Sequence, residues 1–191
     1  MKTDIILAGV GGQGILSVAA VIGDAALEGG LFMKQAEVHG MSQRGGDVQS
    51  HLRISDKPVS SDLIPLGNAD IIISLEPMEA LRYIHYLKKD GWVVTNSEPF
   101  KNIPHYPETD KMMEAYHRLP NKIILDVDKI AKESGTSRSS NIILLGAASP
   151  YLNIEFSRLE NGIRHIFGRK GDEIVEKNLE ALKTGREAVS S

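Results

Sequence analysis

The N-terminal segment constrains the fold more than any other part of the sequence, because it joins an apolar run to a helix through a glycine-rich turn. Residues 5–8 form a short apolar run that the turn bounds, which is typical of a buried parallel strand. From Gly12 to about Glu28 the chain has few polar residues and is rich in Ala, Gly and Ser, which predicts a closely packed helix. The turn between them contains Gly9, Gly11, Gly12 and Gly14.

The alternation of strands and helices continues along the chain. Strand candidates are residues 31–38, 47–55, 71–75, 91–96 and 122–127. Helix candidates are a segment with Pro77 in its first turn, then 109–117, 128–134 and 141–149. For 141–149 a strand is an alternative on periodicity alone. A C-terminal helix has Val175, Leu179, Leu182 and Val189 on its apolar face. In 47–55 polar and apolar residues alternate, which predicts a strand with one solvated face. The pattern predicts one α/β domain over residues 1–191, with a mostly parallel sheet flanked by helices.

Composition and charge exclude several classes of function. Apolar residues make up 41%, charged residues 25%, and the net charge is −3 with both signs mixed throughout, so we expect no nucleic-acid partner. No apolar run approaches the roughly 18 residues of a membrane span, and the first residues enter a strand rather than a signal peptide. We therefore expect a cytoplasmic protein without a membrane partner.

Cysteine is absent, which excludes disulfides, a thiol nucleophile and cysteine-ligated zinc or iron–sulfur clusters. The six histidines show no short metal-binding spacing. We expect no metal site, and we expect the histidines to lie at the surface or to face a partner.

Two interpretations of the glycine turn remain open on spacing alone. Gly9, Gly11 and Gly14 match the G-x-G-x-x-G fingerprint of dinucleotide-binding proteins, with Glu37 near the position of the acid that binds the ribose. Alternatively, the glycines form a tight turn that packs against another element, a cofactor or a partner. A phosphate-binding loop of the NTPase type is excluded, because Ile15 stands where that motif requires lysine.

A second motif, "EVHGMSQRGG", leaves a strand, passes through a polar loop and enters the next strand. Its arginine can recognise a carboxylate, a phosphate or the acidic surface of a partner. Equally, Arg44 can cap a carbonyl or pair with Glu37. The candidate residues of this motif are Glu37, His39, Gly40, Met41, Ser42, Gln43, Arg44, Gly45 and Gly46, beside Gly9, Gly11, Gly12, Gln13 and Gly14 of the first motif.

The pair "GVGGQG" and "EVHGMSQRGG" resembles the gamma-type domain of 2-oxoacid:ferredoxin oxidoreductases, and "HGMSQRGG" is most similar to the indolepyruvate branch of that family. The resemblance extends to "SLEPMEALRY", to "YP" at residues 106–107 and to "NIILLGAAS". It implies a Rossmann-like α/β fold of the pyruvate-ferredoxin oxidoreductase gamma or domain III type.

The resemblance also implies a division of labour within a complex. In this family thiamine diphosphate decarboxylates a 2-oxoacid, [4Fe-4S] clusters pass electrons to ferredoxin, and coenzyme A takes the acyl group. We expect the thiamine diphosphate and the clusters in a large alpha-type partner subunit, with this chain binding neither and inactive alone. Both motifs are then expected to face the partner, coenzyme A or the substrate, with no catalytic residue assigned. The alternatives are a stand-alone NAD(P)-dependent oxidoreductase and a non-catalytic nucleotide- or coenzyme A-binding module.

Replacing Arg44 with alanine is expected to leave this chain folded and to impair the assembled complex, because the polar, glycine-flanked loop contributes little to a core. Losing a charge-assisted contact of about 1.5–3 kcal/mol should lower partner affinity or kcat/KM about 10- to 100-fold. Arg44→Lys should restore only part of the loss. If Arg44→Ala lowers the Tm of the free chain and leaves the kinetics of the assembled complex unchanged, Arg44 is a structural cap.

Overall fold

The computed structural model describes residues 1–39, 46–101, 103 and 105–190. A six-stranded sheet has the order β2-β3-β1-β4-β5-β6. Its strands are β1 (Lys2–Val10), β2 (Phe32–His39), β3 (Asp47–Ser55), β4 (Ala69–Ser74), β5 (Leu87–Asn96) and β6 (Lys122–Leu125). The helices are α1 (Ile15–Glu28), α2 (Pro77–Arg82), α3 (Thr109–His117), α4 (Val127–Glu133), α5 (Ser140–Ala148), α6 (Phe156–Phe167) and α7 (Asp172–Glu187).

Strand β1 is the centre of the sheet. It pairs with β4 in parallel and with β3 in antiparallel orientation, while β4, β5 and β6 are parallel to one another. Because β2 is antiparallel to β3, it runs in the same direction as β1, and only β3 opposes the other strands. The prediction of a mostly parallel α/β sheet flanked by helices is confirmed.

Helices cover both faces of the sheet. Ile5 and Leu7 of β1 belong to a core that includes side chains of α1, α4, α5, α6 and α7. Ile6 and Ala8, which point to the opposite face, pack in a second core with α2 and α3. The chain thus leaves β1 through α1 on one face and leaves β4 through α2 on the other. This reversal makes a topological switch point at the carboxyl ends of β1 and β4, where open α/β sheets bind ligands.

The prediction of a solvated face on β3 was wrong. His51 and Arg53 are buried, because residues 56–68 fold back over this face before β4 begins. The Arg53 Nε lies 2.9 Å from Asp4 Oδ1, and its Nη1 donates to the carbonyls of Ser61 and Leu63 at 3.0 and 2.9 Å. The expectation of surface histidines fails at His51, whose Nδ1 accepts the Ile64 N–H at 3.0 Å. Burial, followed by the charge of Arg53, lowers the pKa of His51.

The helix predictions were accurate where periodicity was clear. The predicted helix at Thr109–His117 has those bounds, and α2 begins at Pro77 as predicted. The segment "NIILLGAAS", for which a strand was an alternative, lies mainly in α5. Helix α6 was missed, although Leu159, Ile163 and Phe167 recur along it at helical spacing and are buried. Among the described residues, no helix is long and apolar enough to cross a membrane.

Helices α5 and α7 approach so closely that glycine is required on both. A Cβ added at Gly185 would lie 1.9 Å from the carbonyl oxygen of Ile143, and one at Gly146 would lie 2.1 Å from that of Leu182. Both obstacles are backbone oxygens of the facing helix, which a side-chain rotation cannot move. The two glycines therefore set the distance between the helices.

Replacing Gly185 with alanine is expected to force these helices apart and to destabilise the chain by about 2 kcal/mol or more. For a chain of this size that lowers Tm by at least about 4 °C in a thermal unfolding experiment. Gly168→Ala is the control, because a Cβ at that position meets no atom within 4 Å. Equal Tm values for the two variants would show that the helices can separate without cost.

Candidate functional site

The glycine turn connects β1 to α1 at the switch point, and two of its glycines have left-handed backbone conformations. Gly12 has φ 103° and Gly14 has φ 80°, which side-chain-bearing residues adopt only with strain. Gly14 is the N-cap of α1, and its carbonyl oxygen accepts the Ser17 N–H at 3.1 Å. The turn therefore needs glycine at these positions whether or not a ligand binds there.

The side chain of Gln13 fills the space between the ends of β1 and β4. Its Oε1 accepts the Val10 N–H at 2.8 Å, and its Nε2 donates to the Leu75 carbonyl at 3.4 Å. A Cβ added at Gly9 would lie 2.9 Å from the same Oε1. The first glycine of the fingerprint thus makes room for a side chain of the turn itself.

The last glycine of the fingerprint makes room for another internal contact. A Cβ at Gly14 would lie 2.8 Å from Asn141 Nδ2 of α5, which donates to the Gly14 carbonyl at 3.0 Å. The obstacle at this position is therefore a polar side chain of α5. Internal packing accounts for both Gly9 and Gly14.

The second motif begins and ends beside the first. His39 is the last residue of β2, and Asp47, the first residue of β3, is paired with Val10 at the end of β1. The Gly11 N–H donates to the Gly46 carbonyl at 2.8 Å, which ties the two motifs together. The remaining candidates of the second motif lie outside the described residues: Gly40, Met41, Ser42, Gln43, Arg44 and Gly45.

Glu37 lies far from the glycine turn. The register aligns Glu37 with Ser50 of β3 and Ser50 with Leu7 of β1, so that one whole strand separates Glu37 from β1. Two strand spacings amount to roughly 10 Å. In the dinucleotide fold the second strand of the chain is instead the direct neighbour of the first. The exposed Glu37 carboxylate accepts a hydrogen bond from Gln35 Nε2 at 2.5 Å.

A buried polar network, which sequence reasoning did not find, lies on the α2 side of the switch point. Glu76 is fully buried. Its carboxylate caps α2 by accepting a hydrogen bond from the Glu79 N–H at 2.9 Å, and it accepts a second hydrogen bond from the hydroxyl of Tyr106. Glu79, also buried, pairs with Arg82 at 2.8 Å. Burial raises the pKa of the Glu79 carboxyl, and the hydrogen bond from Arg82 opposes that shift. The signal was present in "SLEPMEALRY", whose three charged residues are Glu76, Glu79 and Arg82.

The same network reaches the second motif. The hydroxyl of Tyr83 donates to Asp47 Oδ2 at 3.2 Å. Burial, together with the neighbouring charge of Asp47, raises the pKa of Tyr83, so this hydroxyl keeps its proton near neutral pH. The residue directly after α2 thus contacts Asp47, the first residue of β3.

On the α1 side a cleft of about 620 Å³ opens beside the glycine turn. Gly12, Gln13 and Gly14 form one wall of this cleft, residues 135–139 and Asn141 contribute a second, and the start of α7 closes it. The carboxyl edge of the sheet therefore has a closely packed polar network on the side of α2 and an open cleft on the side of α1.

The family model for pyruvate ferredoxin/flavodoxin oxidoreductase matches residues 4–188. The chain belongs to this family. It is 38% identical to indolepyruvate oxidoreductase subunit IorB of Archaeoglobus fulgidus, over 97% of this chain and 94% of that one. The corresponding protein of Thermococcus kodakarensis is 37% identical over 97% of this chain and 95% of its own length.

A solved structure, pyruvate oxidoreductase subunit PORC of Thermotoga maritima, has the same fold. It superimposes with a TM-score of 0.75 at 21% identity, over 97% of this chain and 96% of that one. The expected family and the expected gamma-type fold are confirmed, and these relatives do not favour a stand-alone NAD(P)-dependent enzyme. The roles of the individual motif residues stay predictions.

A pair of glycine variants tests whether the turn is held by internal packing. Gly14→Ala should strain a left-handed residue by about 1–2 kcal/mol. It should also displace Asn141, whose hydrogen bond adds about 1 kcal/mol. Gly12→Ala is the control, because it carries the strain alone and its Cβ meets no atom within 4 Å. We expect a larger loss of unfolding free energy for Gly14→Ala in denaturant titrations. Identical losses would mean that the Asn141 contact contributes nothing.

Proposed function

We propose that this chain is the small subunit of a 2-oxoacid:ferredoxin oxidoreductase of the indolepyruvate type and works only in complex with a larger subunit. Relatives that are 37–38% identical over nearly the whole chain are indolepyruvate oxidoreductase subunits, which supports the assignment. The reaction is the oxidative decarboxylation of an aryl 2-oxoacid to its acyl-coenzyme A ester, with ferredoxin as electron acceptor.

The chemistry of this chain fits a subunit that carries no redox centre. Iron–sulfur clusters in proteins are held mainly by cysteine thiolates, and this sequence contains 0 Cys. We therefore assign the [4Fe-4S] clusters and thiamine diphosphate to the larger subunit. Bound there, thiamine diphosphate supplies the decarboxylation chemistry. Coenzyme A is the co-substrate, and ferredoxin meets the complex through the cluster-bearing subunit.

The position of Gln13 carries the proposal that the glycine turn is a packing and contact element rather than a dinucleotide site. A dinucleotide would place its pyrophosphate on the first turn and helix N-terminus of the switch point. There Gln13 bonds to Val10 and approaches the Leu75 carbonyl, and Gly9 accommodates the Gln13 side chain. Glu37, the one candidate for the ribose, lies two strands away.

The rest of the carboxyl edge fits a surface for a partner. The second motif begins at the end of β2, and its last residue, Gly46, accepts a hydrogen bond from the Gly11 N–H of the glycine turn. Exposed apolar side chains flank this region, among them Val38 at the end of β2 and Leu16 in the first turn of α1. In the proposed complex these groups and the second motif contact the larger subunit near its active-site entrance.

Co-expression with the larger subunit tests the proposal. That subunit is recognised as a reading frame with thiamine-diphosphate and cysteine-cluster motifs next to the gene of this chain. An affinity tag on this chain should capture it. The captured complex should reduce ferredoxin with an aryl 2-oxoacid and coenzyme A, and the purified chain alone should be colourless and inactive.

Two results would contradict the proposal. Turnover by the purified chain alone would remove the need for a partner. Tight binding of NADH to the chain, lost on Gln13→Trp but not on Gln35→Trp, would instead show that the switch point holds a dinucleotide.

A further inference from the structure

We infer that the outer edge of strand β2 is a docking surface for a second copy of this chain, and that two copies pair there strand to strand around a two-fold axis. Strand β2 is the last strand on its side of the six-stranded sheet. The inference goes beyond the proposed function and does not depend on it.

The outer edge of β2 has the properties of an edge that can pair. Its inner edge is bonded to β3 in unbroken register over the whole of Phe32–His39, so the backbone is regular along the strand. Proteins usually protect an open edge with proline, a bulge or several charges. The sequence of β2, "FMKQAEVH", contains no proline and one lysine. Lys34 is turned to its own chain, where its Nζ donates to the Ser60 carbonyl at 3.1 Å. The edge is therefore long, regular and weakly protected.

Exposed apolar side chains lie at both ends of this edge. Phe32 at the start of β2 is 47% exposed, and Val38 near its end is 55% exposed. Both point away from α1, because they alternate with Met33, which packs in the core on the α1 side. On the α1 side Leu27 is exposed near the start of β2, and Leu16 is exposed near its end.

Leu16 and Leu27 belong to the flank of α1 that overlooks β2. Their spacing from Gly23, seven residues and four residues, places the three positions on one side of the helix. Gly23 faces β2, because a Cβ added there would lie 2.7 Å from the Met33 Sδ. On each face of the sheet the edge thus has an apolar group near its start and another near its end.

A two-fold axis makes these two ends complementary. Antiparallel pairing of two β2 strands places the start of one beside the end of the other. Phe32 then meets Val38 of the second copy on one face, and Leu27 approaches Leu16 on the other. Each contact occurs twice, because a two-fold interface uses the same surface on both copies. This match of the edge with itself favours a second copy over an unrelated strand.

The charges of β2 select one register. With the axis perpendicular to the sheet, opposing residues point to the same face, so the axis passes through a residue of β2. An axis at Gln35 gives the Phe–Val pairing and opposes Lys34 to Ala36. An axis at Lys34 or at Glu37 opposes like charges, which destabilises the pairing. An axis at Ala36 leaves Phe32 beyond the end of the opposing strand. The axis at Gln35 therefore fits best.

This contact and the contact with the larger subunit are compatible. Val38 and Leu16 lie at the corner where the β2 edge meets the surface assigned above to the larger subunit, so they border both partners. The edge from Phe32 to Glu37 is left to the second copy, and the two six-stranded sheets form one continuous sheet.

Cysteine cross-linking tests the register, because the chain contains 0 Cys and an introduced cysteine is its only thiol. In the proposed dimer the two copies of residue 35 face each other at a Cα separation of about 5 Å, within reach of a disulfide. Mild oxidation of Gln35→Cys should therefore give a covalent dimer on a denaturing gel without reductant.

Glu37→Cys is the matched control. It lies on the same face of β2, and each variant removes one partner of the Gln35–Glu37 hydrogen bond. In this register the two copies of residue 37 are about 14 Å apart, too far for a disulfide.

Analytical ultracentrifugation of the full chain over a dilution series tests the interface itself. We expect a monomer–dimer equilibrium. Phe32→Lys should raise its Kd about tenfold or more, because each dimer loses the burial of two phenyl rings. Leu66→Lys is the control, because Leu66 is 65% exposed but lies in the segment before β4, outside the β2 edge. The Tm of both variants shows whether they are folded.

Cross-linking of Gln35→Cys but not of Glu37→Cys, in the free chain and in the complex, supports the inference. Three results overturn it: no cross-link at position 35, equal cross-linking of the two variants, or equal Kd values for Phe32→Lys and Leu66→Lys. A cross-link that disappears on capture of the larger subunit also overturns it, because a segment of that subunit then occupies the edge. Failure of the wild-type chain to capture the larger subunit counts against the proposed function alone.

Discussion

Strand β1 is hydrogen-bonded along both edges and buried on both faces, and the candidate site takes its position from the end of this strand. Its side chains from Asp4 to Val10 are almost inaccessible to solvent. Where the strand ends, Gln13 turns back to bond the last N–H of the strand and to reach the Leu75 carbonyl beyond β4. One amide side chain therefore closes the turn and joins the two strands at the switch point.

The antiparallel strand β3 explains why the ends of two motifs that are apart in the sequence lie together. A simple Rossmann order would place β2 beside β1 and leave the end of β2 as the neighbour of the glycine turn. Here β3 separates them, and because β3 runs in the opposite direction, it begins where β1 ends. The end of the second motif thus lies at the switch point, where the Gly11 N–H bonds to the Gly46 carbonyl and the Tyr83 hydroxyl bonds to Asp47.

Much of the fold followed from local patterns, because strands and helices of this chain have clear apolar periodicities. One error arose where a distant segment changed the environment of a strand. The alternation of polar and apolar residues in β3 indicated a solvated face. Arg53 of this strand instead pairs with Asp4 and donates a hydrogen bond to the carbonyl of Ser61, in the segment that folds back after the strand. Helix α6 carries many charged residues on its outer side, which masked the apolar stripe of Leu159, Ile163 and Phe167.

The candidate site was predictable only in part, for a related reason. Residues that are close in sequence, such as Gly9 to Gly14, could be identified by their spacing. Glu37 matched the same spacing rule, yet strand order moved it away from the turn. Ser139 and Lys170 carry no local signal, since they line one cleft only because the segments before α5 and α7 end beside it.

A glycine fingerprint describes the space around a backbone and leaves open what occupies that space. At Gly9 and Gly14 the occupants are Gln13 and Asn141, so the same spacing that serves a pyrophosphate in other proteins here serves internal packing. The two sides of the glycine turn also differ in charge. Under α2 the carboxylates of Glu76, Glu79 and Asp47 face one guanidinium, that of Arg82, whereas the rim above α1 carries Arg138 and Lys170. An anion that approaches the carboxyl edge is repelled from the α2 side and attracted to the α1 side.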